Sequence, residues 1–146
     1  MRVVLFLHLL GASVWAGGHL VLALSVLPRA WSRRDHAAVA AFEERFEPIG
    51  IPALVLQIVT GLWLAHRAVP SYADWFGFGS DRATLVGVKL VLLGLTAVLA
   101  VHARWKVVPD LDEERLGPLA AHIIAVTVLA VLFVYVGVSF RFGSLT

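Results

Sequence analysis

The stretch Val3–Leu27 reads VVLFLHLLGASVWAGGHLVLALSVL, and it decides the fold because it holds no charged side chain over 25 residues. About 20 helical residues cross a hydrocarbon core of ~30 Å, so this stretch predicts a transmembrane helix. The run is too long for the apolar region of a signal peptide, and we expect it to remain in the mature protein.

Three further apolar stretches of similar length follow at Ile49–His66, Ala83–His102 and Pro118–Phe140. Of the 146 residues, 60% are hydrophobic, and the mean hydropathy is +0.86. Soluble domains are nearer ~45–50% apolar, so the excess indicates a membrane protein that has the lipid bilayer as its partner. No strict alternation of polar and apolar residues favours a β-barrel. The sequence predicts an all-α, integral membrane four-helix bundle, with one domain over residues 1–146.

The charged and sulfur-containing residues exclude several functions. A formal charge of +2 in a chain this apolar argues against nucleic acid as a partner. The absence of cysteine excludes disulfides, iron–sulfur clusters and thiolate ligands.

Basic residues predict the orientation in the membrane. The first and third connections, Pro28–Glu47 and Ala103–Gly117, together hold seven basic residues, whereas the opposite side holds four. By the positive-inside rule, we expect both connections to face the cytoplasm, with both termini outside, in a bacterial inner membrane. Within the first connection, residues 37–42 (AAVAAF) form either an interfacial helix or an extension of a neighbouring span. The seven basic residues of the first and third connections are Arg29, Arg33, Arg34, Arg45, Arg104, Lys106 and Arg115. The four on the opposite side are Arg2, Arg67, Arg82 and Arg141.

Aromatic residues distinguish the second connection, Arg67–Arg82. They form either an aromatic belt at the membrane interface or a lid over an outward-facing site. These residues are Tyr72, Trp75, Phe76 and Phe78.

Ionisable residues at membrane depth are the strongest functional signal. Such groups are rare, face the bundle interior and mark functional sites, and imidazole is a common ligand of haem iron and copper. His66 and His102 end their spans, where a histidine also reaches the headgroups. Lys89 either snorkels outward or neutralises a haem propionate or an anionic substrate. Gln57 and Thr60 share a helix face that suits hydrogen bonds across the bundle. The candidate cofactor-binding residues are His8, His19, His66, Lys89, His102 and His122.

Helical geometry sorts these residues into two layers. His8 and His19 are eleven residues apart, so they share one face of the first helix at a separation of ~16 Å. This spacing predicts an outer layer of His8, His66 and Lys89, together with Tyr135, and an inner layer of His19, His102 and His122. We expect haem b, with copper as a further candidate bound by His8, His19, His102 and His122. Glycines provide either room for the haem ring or close helix packing; they are Gly11, Gly17, Gly18, Gly61, Gly87, Gly94 and Gly137.

Short motifs support a family resemblance. The first helix reads HLLGASVWAGG from His8 to Gly18 and closes with Leu27-Pro28-Arg29; Thr60-Gly61 and Lys89-Leu90 follow in later spans. This order resembles the CopD-type membrane proteins associated with copper resistance and, more weakly, the HemJ-type protoporphyrinogen oxidases, which are four-helix haem b proteins.

The HemJ resemblance implies specific roles and has one departure. It implies that His8 is a haem ligand and that Lys89 is the lysine those enzymes need. In the HemJ pattern a proline-arginine pair closely follows the tryptophan-glycine motif, whereas here eleven residues separate Gly17 from Pro28. This departure puts porphyrinogen oxidation in doubt.

The function predicted from the sequence is haem b binding by transmembrane histidines, with a role in one-electron redox chemistry or copper handling. Three alternatives stay open: a copper transporter without haem, a porphyrinogen oxidase, and a structural membrane subunit. The sequence leaves open whether the protein is a membrane oxidoreductase, and it names neither catalytic residues nor an electron donor or acceptor. Small-residue helix faces also allow a homodimer.

Overall fold

The computed structural model describes residues 1–103, 105 and 116–143, and it is helical with four helices long and apolar enough to span a membrane. The predicted all-α membrane fold is confirmed. In the described part of the chain, the helices are joined by a short turn at residues 34–35 and by a longer connection over residues 69–80. The helices are α1 (Arg2–Val21), α2 (Leu27–Arg33), α3 (His36–Ala68), α4 (Asp81–His102) and α5 (Leu116–Phe142).

The first span is longer than its apolar core. A π-helical turn at Leu22–Val26 joins α1 to α2, so the chain is continuously helical over Arg2–Arg33. Pro28 lies in the first turn of α2 and has no backbone N–H to give to the carbonyl four residues earlier. The wider turn, in which Leu27 N–H bonds to the Leu22 carbonyl, directly precedes this proline, and the chain remains helical through it.

The first connection corrects the prediction from the sequence. A loop over Pro28–Glu47 is wrong, because only Arg34 and Asp35 lie between α2 and α3. Arg34 adopts a left-handed conformation with φ of 52°, and the Asp35 side chain accepts a hydrogen bond of 3.1 Å from Ala38 N–H. The AAVAAF stretch therefore extends the second span, which is one of the two alternatives that the sequence allows. Charged residues show where the helix leaves the lipid, but they do not end it.

The third connection lies largely outside the described residues. Residues 104 and 106–115 lie outside the described part of the chain, and they include Arg104, Lys106 and Arg115. The predicted orientation of the loops and termini stays a prediction.

The second connection packs across the ends of α3 and α4 that it joins. Its Tyr72–Phe76 segment is a short 3₁₀-helix. Trp75 is buried against Val69, Ala83 and Val86, and its indole N–H donates a hydrogen bond of 2.8 Å to the Val69 carbonyl. The other three rings, of Tyr72, Phe76 and Phe78, are exposed and suit the membrane interface. Trp75 is thus a packing residue of this connection.

Helix packing leaves one side of the bundle open. α1 packs along α3 and α5, and α5 packs on α4, whereas α3 and α4 make little contact over their described residues. The α1–α3 contact is close because Gly11 faces the carbonyl oxygen of Ala53. A Cβ atom at Gly11 would lie 2.9 Å from that oxygen. The gap between α3 and α4 becomes a cavity in the half of the bundle that contains His19 and His122, which is called the inner half below.

A pair of glycine substitutions tests this packing. Gly11→Ala should lower stability by about 1–3 kcal/mol, because its methyl group meets backbone that cannot turn aside. Gly17→Ala is the matched control on the same helix, since a Cβ atom at Gly17 would have no neighbour within 4 Å. The measurement is thermal unfolding of the purified protein in detergent. Equal unfolding midpoints for the two variants would contradict the close α1–α3 contact.

Candidate functional site

His8 is held by the second span. Its Nδ1 atom lies 3.1 Å from the Gln57 carbonyl oxygen and 3.0 Å from the Thr60 hydroxyl. The Thr60 hydroxyl gives its own proton to the Leu56 carbonyl, so it accepts from His8. Since a carbonyl is only an acceptor, Nδ1 carries the imidazole proton.

His19 has the same arrangement within its own helix. Its Nδ1 atom donates a hydrogen bond of 2.9 Å to the Trp15 carbonyl oxygen. Its ring is 4.2 Å from the Trp15 ring and 6.2 Å, edge to face, from the Phe46 ring, measured between centroids. His8 and His19 therefore both contact α3, as their spacing on one face predicts.

These hydrogen bonds define which nitrogen is free. In a neutral imidazole whose Nδ1 is protonated, Nε2 holds the lone pair. Histidines that bind metals commonly donate their other ring N–H to a backbone carbonyl or carboxylate, which fixes the tautomer and the ring orientation. His8 and His19 both have this arrangement, so each presents Nε2 as a potential ligand atom.

A cavity of about 280 Å³ lies in the inner half, between all four spans. His19 and His122 line it, on α1 and α5. His102, at the end of α4, stacks on His122 with ring centroids 6.1 Å apart. His122 lies within electrostatic range of both other histidines. Of the predicted inner layer, His19 and His122 line this cavity, whereas His102 is exposed and contacts the His122 ring beside it.

Two glutamates also line this cavity, and reasoning from the sequence does not single them out. Glu43 and Glu47 are one helical turn apart on α3, and Phe46 lies on the same wall. Both fall within the loop predicted over Pro28–Glu47, where a carboxylate would be solvated. The available signal is the i, i+4 repeat of Phe42 with Phe46 and of Glu43 with Glu47, which is typical of a helix with one side in contact.

The predicted outer layer is only partly assembled. Lys89 lies within electrostatic range of His8, and its Nζ atom is 5.1 Å from the centroid of the Phe140 ring. Gln57 also belongs here, with a buried Oε1 atom that has no hydrogen-bond partner among the described residues. Tyr135 is exposed.

His66 is placed differently from the prediction. It stacks on Tyr72 with centroids 5.0 Å apart and lines a separate, open cavity of about 390 Å³. His8 contacts α3 at Thr60 and Gly61, and His66 follows Gly61 by five residues. Five residues turn a helix by about 140° beyond a full turn, so His66 faces away from His8.

The glycines favour close packing over a haem-sized slot. A Cβ at Gly18 would lie 2.1 Å from the Phe46 ring, and one at Gly61 would lie 3.0 Å from the His8 ring. Gly87 faces the Phe78 ring, and Gly137 faces Lys89 Nζ. Gly17 and Gly94 face open space. The room left by most of these glycines is therefore already filled.

The inner donors fit a metal ion in chemistry and space, although they do not enclose one. A metal–imidazole bond of about 2.0–2.1 Å places two ring centres on one ion within roughly 6.5 Å of each other, and the His102–His122 pair meets this limit. Among the described residues, no group of three or more His, Asp or Glu side chains is close enough as placed to hold an ion. Binding would therefore require side chains to turn into the cavity.

Comparison with known proteins identifies the family. The model of the family described as copper resistance protein D, CopD, matches residues 40–140. The chain belongs to the CopD family. An uncharacterized protein of Aquifex aeolicus (strain VF5) is 33% identical over 144 residues, which are 95% of this chain and 94% of that protein. No solved structure gives a significant match.

Family membership links this chain to membrane proteins of copper resistance and confirms the CopD resemblance. The HemJ resemblance stays a prediction. The matched CopD region contains His66, Lys89, His102 and His122, whereas His8 and His19 precede it. The inner cavity thus combines His122, from the matched region, with His19 of α1.

The tautomers of the two α1 histidines are directly measurable. We expect ¹⁵N NMR of imidazole-labelled protein to show His8 and His19 protonated at Nδ1, because each donates from that atom to a carbonyl oxygen. His8→Asn and His19→Asn variants assign the signals. A neutral ring that carries its proton on Nε2, with Nδ1 unprotonated, would contradict the hydrogen bonding described.

Proposed function

We propose that this CopD-family protein handles copper within the membrane by binding the ion in the inner cavity. The observation that carries the proposal is that His19 and His122, from two different spans, line one cavity, with His102 stacked on His122. Imidazoles in a lipid-facing bundle are costly, and their grouping is typical of a functional site.

The donor atoms indicate the chemistry of the ion. Imidazole nitrogen suits copper as well as zinc, and thioether and thiolate sulfur select Cu⁺. The chain has no cysteine, and Met1 is its one methionine. The Trp15 carbonyl holds the His19 ring through Nδ1 and leaves Nε2 as the potential ligand atom. The cavity of about 280 Å³ holds an ion together with water molecules.

Copper binding should depend on the inner histidines. We expect the purified protein to bind one Cu²⁺ ion, and His19→Ala or His122→Ala to weaken this binding by more than ~10-fold through loss of a nitrogen ligand. His66→Ala is the control, because that imidazole stacks on Tyr72 at the other end of α3. The measurement is equilibrium dialysis with metal analysis. Wild-type binding that survives both inner substitutions would overturn the inner centre.

Haem b bound at His8 is the second candidate. It is favoured by the fixed Nδ1–H of His8, which leaves Nε2 for an axial bond, and by Lys89 nearby, a cation suited to a propionate. The space around His8 is a poor fit, because its ring rests on Gly61 and neither described cavity includes it. When bound, haem would supply the one-electron chemistry that a redox role requires.

An absorption spectrum separates the two candidates. Protein produced with ample haem should show a Soret band and b-type bands on reduction if His8 holds haem, and His8→Ala should remove them. The matched control is His36→Ala, which changes a histidine at the start of α3. If the wild-type protein is colourless, the haem candidate is rejected and the copper proposal is unaffected.

A further inference from the structure

Glu43 occupies an unusual position for a carboxylate. It lies half-buried on α3, in the wall of the cavity that His19 and His122 also line. Its neighbour Glu44 is exposed and does not line this cavity. Two adjacent glutamates of the same helix therefore differ in whether they face the imidazoles.

Among the described residues, no opposite charge is placed to compensate that of Glu43. Within the part of the chain that the structure describes, Glu43 has no hydrogen-bond partner and no ion pair, and Glu47 adds a second negative charge nearby. Buried charges in proteins are generally paired or coordinate metals. A cation in the cavity would supply the missing partner for Glu43.

We infer that Glu43 supplies a carboxylate ligand to the inner centre, which makes this a site for divalent copper. The inference rests on the proposed function and adds an oxygen donor to the nitrogen donors of His19 and His122. Mixed nitrogen and oxygen ligands suit Cu²⁺, whereas Cu⁺ prefers sulfur. The carboxylate charge also offsets that of the ion, which uncharged imidazoles cannot do.

The matched pair Glu43→Gln and Glu44→Gln tests this ligand. Glu43→Gln keeps the size of the side chain and removes its charge, so we expect Cu²⁺ affinity to fall at least ~10-fold, as for loss of a metal partner. The electron paramagnetic resonance spectrum of bound Cu²⁺ should also change, because an oxygen ligand is lost. Glu44→Gln should match the wild type in both measurements. Binding of Ag⁺, used as a probe for a monovalent ion, should be weak in the wild type and in both variants.

The outcomes separate this inference from the proposed function. A wild-type protein that binds no Cu²⁺ would overturn both. Binding that requires His19 but is identical in Glu43→Gln and Glu44→Gln would overturn the carboxylate ligand alone. Tighter binding of Ag⁺ than of Cu²⁺ would overturn the divalent assignment. If Glu43→Gln does not fold, Glu43→Asp replaces it: the shorter carboxylate should alter the resonance spectrum, and an unchanged spectrum would reject the ligand.

Discussion

Close contact between α1 and α3 sets the arrangement of the other elements. Gly11 allows the two backbones to approach, and the same contact places His8 against Thr60 and His19 beside Phe46. α5 then packs on the other side of α1, and α4 packs on α5. Because α4 packs along α5 and makes little contact with α3, a space that all four spans line remains in the inner half. The candidate centre is a consequence of this packing order.

The number and type of the spans were predictable because lipid imposes a simple constraint. Backbone N–H and C=O groups must be satisfied within the segment, so a long uncharged run has to be a helix. The ends of the helices were not predictable by the same reasoning. α3 begins at His36 and not near Ile49, because an alanine-rich segment remains helical in water and the apolar pattern records only the lipid-embedded part.

The candidate site was predictable where one helix determined it and less so where packing did. The shared face of His8 and His19 follows from helical geometry alone. The placement of His19 and His122 around one cavity follows from their similar depth in the bundle. The separation of His66 from His8 depends on how α3 is rotated, which depth does not specify. Glu43 escapes prediction for a related reason, since the error in the start of α3 puts it in a solvated loop. Tertiary packing also decides which role the glycines have, because Phe46, His8 and the Ala53 carbonyl fill the space beside Gly18, Gly61 and Gly11.

The length of α3 has a mechanical consequence for the bilayer. Its 33 residues extend about 50 Å, whereas the 22 residues of α4 extend about 33 Å, close to the hydrocarbon thickness. Tilting α3 into a ~30 Å layer would need about 53°, beyond the ~40° limit of observed helix tilts. The first two spans therefore project past the hydrocarbon layer as a helical hairpin, which contains a π-helical turn in its first arm and Pro48 and Pro52 in its second. A thicker bilayer would submerge the charged base of this hairpin, so the protein should partition toward thinner membranes.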